Sequence, residues 1–196
     1  MSRPSVHTPS TPHILVGVTG SIAAYKSAEL VRLLQGAGYE VTVVMTRAAT
    51  EFIGELTFRT LTRRPVGLDL FGAREEWKPE HIAYAERADL FVIAPCTANV
   101  MAKLAHGIAD DLLTCTALAC AAPLILAPAM NDRMWEHPAT RTNLRLLLQR
   151  GVRIVSPGSG DLACGRAGQG RMAEPDLIVK QVVRAVKSAR GKRTSS

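Results

Sequence analysis

Aromatic residues, paired cysteines, long apolar runs and terminal acids are all scarce in this sequence, and each shortage excludes something. Aromatics make up 5% of the 196 residues, against 47% hydrophobic residues overall. A core therefore has to be assembled from Ala, Val, Ile and Leu, a mixture suited to a parallel sheet buried between helices. Cys96, Cys115, Cys120 and Cys164 form no C-x-x-C pair and have no histidine at ligand spacing, so no metal is expected. No apolar run is long enough to cross a bilayer, and the opening MSRPSVHTPSTP has no apolar signal segment. A cytoplasmic protein with free thiols and no membrane contact is expected.

Acid is missing from residues 1–12 and 181–196, which together hold Arg3, Arg184, Lys187, Arg190, Lys192 and Arg193. Without these six the body carries 18 basic and 17 acidic residues, so the net charge of +7 sits mainly at the ends. Such basicity reads as solvated tails, disordered over 1–12 and 184–196, rather than as a nucleic-acid surface. The length between them suits one domain, expected over 13–183.

What is present is an alternation of strand and helix. Strands are expected at His13–Val18, Glu40–Met45, Leu90–Ala94 (closed by Pro95), Leu124–Ala127 (closed by Pro128) and Val152–Val155. Helices are expected from Ser21 to about Gln35, Thr50 to Arg63, Ala98 to Ala121 with a break near Gly107, 138–150, and Pro175 to Lys187. A glycine-rich loop joins Pro157 to Gly170. Strands separated by crossover helices give a three-layer α/β fold, a parallel sheet with helices on both faces. Ligands bind such sheets beyond the carboxyl ends of the strands.

Four segments fall at those ends. In VGVTGSIAAYK, Gly20 and Ser21 sit where a strand turns into a helix, a place for an anion. The spacing is Gly17-x-x-Gly20-x-x-Ala23, and the second strand ends in Thr46 rather than an acid, which favours a mononucleotide phosphate over a dinucleotide. In APCTAN, Thr97 and Asn99 are either helix caps or hydrogen-bonding partners of a ligand. PAMNDRMW places Asn131 among Met130, Met134 and Trp135, and a neutral amide there suits a carboxylate that leaves as CO2. GSGDLACGRAGQGRM, residues 158–172, has five glycines and reads as a mobile loop over substrate. Cys164 is its candidate proton donor, and Arg166 and Arg171 its candidate anion contacts. His81, in PEHIAYAERAD, is alone in its segment, and Asp110-Asp111 read as the start of a helix.

Taken together and in this order, GSIAAYK, APCTAN with AKLAHGIADDLL behind it, PAMNDRMW and ACGRAGQGRM resemble the flavin-dependent cysteine decarboxylases, from about Ile14 to Val183. Pro-Ala-Met-Asn points to the branch that decarboxylates 4'-phosphopantothenoylcysteine. The resemblance implies a flavodoxin-like, Rossmann-like sheet, bound FMN, and decarboxylation through thiol oxidation, CO2 loss and enethiolate reduction. It also implies homotrimers, or dodecamers built from them, and a separate phosphopantothenoylcysteine synthetase. Position by position, it implies that Gly20, Ser21, Ile22, Thr46, Thr97, Ala98, Asn99 and Ala129 hold the cofactor. It makes His81, Asn131 and Cys164 the catalytic residues, with Met134 shaping the pocket. Cys96, Thr97 and Val100 depart from the family's usual residues, and Val100 lacks a hydroxyl found there. The rival readings are a peptidyl-cysteine decarboxylase, a flavin prenyltransferase, and a non-catalytic FMN-binding regulator of a phosphatase.

Overall fold

A computed structural model describes residues 11–71, 79–161 and 167–193. In chain order the strands are β1 (His13–Val18), β2 (Glu40–Met45), β3 (Val66–Gly67), β4 (Leu90–Cys96), β5 (Leu124–Pro128), β6 (Arg153–Ile154), β7 (Gly158–Asp161) and β8 (Ala167–Arg171). The helices are α1 (Tyr25–Gly36), α2 (Arg47–Thr50), α3 (Glu55–Thr62), α4 (Glu80–Arg87), α5 (Ala98–His106), α6 (Leu112–Ala119), α7 (Asp132–Glu136), α8 (Pro138–Gln149) and α9 (Pro175–Arg193). A 3-10 turn at Ile22–Ala24 leads into α1.

Six strands make one parallel sheet in the order β3-β2-β1-β4-β5-β6. That is the doubly wound Rossmann order. Without the two-residue edge strand β3, it is the flavodoxin-like order. The expected three-layer α/β fold is present. β4 illustrates why such strands read as continuous apolar runs. Leu90, Val92 and Ala94 enter the cluster under one helical layer, while Phe91, Ile93 and Cys96 enter the other, all with no exposed surface. Alternate residues point to opposite faces, and both faces are covered.

The differences from expectation are local. The helix expected over Thr50–Arg63 begins only at Glu55, with Gly54 as the N-cap of α3, and a separate short helix, α2, ends at Thr50. β4 runs through Pro95 to Cys96, with its register against β5 shifting between Ile93 and Cys96, the kind of irregularity that a residue without an N–H imposes. The glycine-rich stretch is not a plain loop: β7 and β8 pair as an antiparallel ribbon. α9 continues past Lys187 to Arg193, so residues 184–193, expected as a tail, are helical. Charge was the basis for that expectation, whereas Arg, Ala, Val, Lys and Ser before Gly191 contain no helix breaker. The expected tail 1–12 lies almost wholly outside the described residues.

Candidate functional site

The sheet's order reverses between β1 and β4, which opens a crevice at the carboxyl ends of its strands. A cavity of about 590 Å³ occupies that place. Its walls are Gly20 and Ser21 after β1, Thr46, Arg47 and Ala48 after β2, Thr97, Ala98, Asn99 and Val100 after β4, and Ala129, Met130 and Met134 after β5, with Lys103 and Asp111 beside them.

Hydrogen bonds fix the loops to one another. Thr19 Oγ1 donates to Pro95 O at 2.8 Å and accepts from Thr97 N at 3.1 Å, and Ser27 Oγ donates to Ala94 O at 2.7 Å. These three contacts lock the β1 and β4 loops together across the switch point. Gly20 is required by close approach: a Cβ there would lie 2.6 Å from Ala48 Cβ and 2.9 Å from Ala48 O.

The hydroxyls on the wall do two jobs. Ser21 accepts from Ala23 N at 3.3 Å and Thr97 accepts from Val100 N at 3.3 Å, each as an N-cap. Either oxygen retains its own proton for a ligand. Thr46 behaves differently. It occupies the N-cap position of α2, but its side chain makes no cap bond, and its buried Oγ1 has no partner.

Charge at the rim comes from Arg47, paired with Asp69 at 2.5 Å, and from Lys103. Lys103 Nζ lies 2.6 Å from Asp110 and 3.3 Å from Asp111, and these carboxylates, Asp110 first, hold its ammonium more firmly protonated than usual. Asp111 also caps α6 in a reciprocal box with Thr114, so the expected helix start is present. Burial pushes the Cys96 thiol up to about 12, which keeps it protonated and excludes it as a nucleophile.

The cavity therefore gathers Gly20, Ser21, Thr46, Thr97, Ala98, Asn99, Ala129 and Met134 from the residues selected in the sequence. Ile22 is not among its lining residues, being 61% exposed. Asn131 stands at the margin between Met130 and Met134, with its carbonyl oxygen accepting from Arg133 N at 2.9 Å as the cap of α7. His81 is in the first turn of α4, which packs on α6; it does not line the cavity, and its Nδ1 is buried without a partner. Arg171 is exposed on β8. Cys164 and Arg166 lie outside the described residues. The sequence reading overlooked Thr19 and Lys103, and gave Asp111 the role of a helix start without placing it at the cavity. Only Asp111 had a local signal, the D-x-x-T capping pattern.

Residues 2–187 match the profile of the family described as Flavoprotein. The chain belongs to that family. The flavoprotein's curated relatives include the coenzyme A biosynthesis bifunctional protein CoaBC of Bacillus subtilis (strain 168), 47% identical over 168 residues, which are 86% of this chain and 41% of that protein. Another is the probable phosphopantothenoylcysteine decarboxylase of Streptococcus mutans, 44% identical over 174 residues, which are 88% of this chain and 97% of that one. The chain thus spans about two fifths of the bifunctional relatives' length. Among solved structures, a cysteine-to-serine mutant of PPC decarboxylase complexed with pantothenoylaminoethenethiol is similar with a TM-score of 0.80 at 35% identity, covering 88% of this chain and 97% of that one. The FMN-dependent cysteine decarboxylase SpaF is similar at 0.79 and 33%, over 91% and 97% of the two chains. The expected resemblance to flavin-dependent cysteine decarboxylases is borne out. No helix among the described residues is long and apolar enough to cross a membrane.

Proposed function

We propose that this flavoprotein is an FMN-dependent decarboxylase that converts 4'-phosphopantothenoylcysteine to 4'-phosphopantetheine in coenzyme A biosynthesis. The observation that carries the reading is the switch-point cavity with its unpartnered Thr46 hydroxyl, built from the segments shared with the cysteine decarboxylases. The residues present fit a flavin mononucleotide. Gly20 lets the backbone come close and Ser21 adds a hydroxyl, which suits a phosphate. Thr46 stands where a dinucleotide site would carry an acid. Thr97, Ala98, Asn99 and Ala129 complete the holding set.

FMN held by Gly20, Ser21, Thr46, Thr97, Ala98, Asn99 and Ala129 would supply reversible two-electron redox chemistry for the oxidation of the substrate thiol. Asn131 holds the substrate carboxylate through a neutral amide, which does not over-stabilise a charge that disperses in the transition state. Met130 and Met134 exclude water from that end. Cys164 delivers the proton to the carbon that loses CO2, so the net reaction exchanges a carboxylate for a hydrogen. Arg166 and Arg171 meet the substrate's anionic groups, and His81 assists the oxidative half.

The proposed working unit is a homotrimer, or a dodecamer built from four trimers, with the flavin near a subunit boundary. Its support is that His81 does not line its own chain's cavity. In addition Ile22, Tyr25, Phe52 and Leu56, on segments leaving the cavity wall, are between 49% and 66% exposed. A phosphopantothenoylcysteine synthetase is the proposed source of substrate, in keeping with the bifunctional relatives. The proposed setting is cytoplasmic, in keeping with free Cys96, Cys115 and Cys120 among the described residues.

A competition tests the reading. Purified protein receives equal amounts of phosphopantothenoylcysteine and a peptide ending in cysteine, without oxygen, followed by mass spectrometry. Loss of CO2 from the first alone is the expected result. Decarboxylation of the peptide alone would transfer the chemistry to the rival substrate, and no change in either, with flavin bound, would refute the catalytic reading.

A further inference from the structure

One buried polar atom without a partner lies beside the glycine-rich ribbon rather than in the cavity. Asp132 follows Asn131 at the first position of α7, and its Oδ1 is buried with no hydrogen-bond partner. Its side chain packs on β8: a Cβ on Gly168 would lie 2.8 Å from Asp132 Cβ and 3.2 Å from Oδ2. Two residues along, a Cβ on Gly170 would lie 2.2 Å from Met130 O, and Met130 N donates to Gly170 O at 3.0 Å.

Residues 130 and 132 therefore grip alternate positions of β8, and alternate positions share one face of a strand. A slip of one residue would turn Gln169 or Arg171 toward them, against the Met130 backbone at one position and against Asp132 Cβ and its carboxylate, with Cγ and Oδ2 both 3.2 Å from a Cβ at position 168, at the other. An acid in the first turn of α7 is favourable for the helix. That does not explain why its side chain packs on the ribbon with Oδ1 buried, since burying a carboxylate oxygen without a donor is unfavourable.

We propose that Asp132 is a positioning residue for the protonation step, fixing the register of β8 against the Asn131 segment. This rests on the proposed reading of the ribbon as carrier of the proton donor. Decarboxylation breaks the bond from the substrate carbon to its carboxyl group and leaves the electron pair conjugated with sulfur. Completion adds one proton to that carbon and one hydride, carrying the two electrons first removed from the thiol, to the carbon bearing sulfur, with reduced FMN as the hydride source. CO2 release and thiol formation are thus separable events, and a misplaced ribbon slows only the second.

The experiment uses FMN-loaded protein without oxygen, measuring both CO2 and the final thiol on whichever cysteine substrate the parent decarboxylates. Cys164→Ser serves as the uncoupled control. The parent should give equal amounts of both. Asp132→Ala and Gly168→Ala, which disturb the contact from opposite sides, should keep flavin and CO2 release but form thiol roughly ten- to a hundredfold more slowly, the scale of a misplacement near 1 Å. Asp132→Asn, with an amide oxygen in the same place, should restore coupling. Equal CO2 and thiol in Asp132→Ala, or a parallel fall in both, would overturn the proposal.

Amide exchange at Met130 gives a readout independent of turnover. It should quicken in Asp132→Ala and Gly168→Ala while β1 amides are unchanged, and unchanged Met130 exchange in both variants overturns the proposal. If the parent decarboxylates neither substrate, the catalytic reading fails, and the Met130 amide still decides whether Asp132 registers the ribbon.

Discussion

Thr46 stands at the head of α2 yet makes no bond to it, and its buried hydroxyl has no partner in the protein. A hydroxyl removed from water without compensation is unfavourable, so a ligand in the cavity is the natural partner. Thr46→Val should weaken FMN binding roughly three- to tenfold, the worth of one neutral hydrogen bond, while Thr46→Ser should not. Flavin fluorescence titration measures this, and equal affinity in the valine variant would remove Thr46 from the holding set. The neighbouring thiol of Cys96 offers a contrast. Full burial holds it protonated near 12, so its place next to Thr97 carries no chemistry. Residue type and strand ends made Ser21, Thr46, Thr97 and Asn99 legible in the sequence. Thr19 was not legible, because its two partners, Pro95 and Thr97, are 76 and 78 residues away.

At the scale of elements, the loops after β1 and β2 meet so closely that only a hydrogen fits at position 20. Gly20→Ala should push α2 outward, destabilising the fold by about 1–3 kcal/mol through overpacking and loosening the flavin. Thermal unfolding with and without FMN tests both effects, and a variant with unchanged melting and affinity would show that the contact yields freely. The ribbon repeats the lesson. Its glycines suggested mobility in the sequence, but Gly168 and Gly170 are where β8 comes within contact of Met130 and Asp132. Close approach and mobility call for the same residue, and only packing distinguishes them.

Across the whole molecule the cavity occupies one end of the sheet and a polar cluster the other. There His13 bonds to Thr42 at 2.8 Å, and Glu40 pairs with Arg64 at 2.9 Å and Arg87 at 3.4 Å. Burial first, then repulsion from Arg87 and Arg64 against the opposing pull of Glu40, lowers the His13 imidazole from 6.5 to about 4. Between these values the unfolded chain binds a proton that the folded one refuses. The stabilisation is whole above pH ~6.5 and is lost as pH falls toward ~4. The gap in urea midpoint between parent and His13→Asn should therefore narrow as pH is lowered from 7 to 4.5. A gap independent of pH would show that His13 titrates alike in both states.

The sequence by itself determined the parallel α/β class, the strands at 13–18 and 40–45, the break near Gly107, and the four segments that resemble the cysteine decarboxylases. These are local matters: a strand buried on both faces must be apolar throughout, and helix ends are written in caps and glycines. Only the tertiary structure decided that eight of the selected residues share one cavity while His81 does not line it. It also decided that a ribbon is keyed to the Asn131 segment by two glycines. Those outcomes depend on which distant backbones touch, and contact between distant segments has no period or spacing in the chain from which to be read.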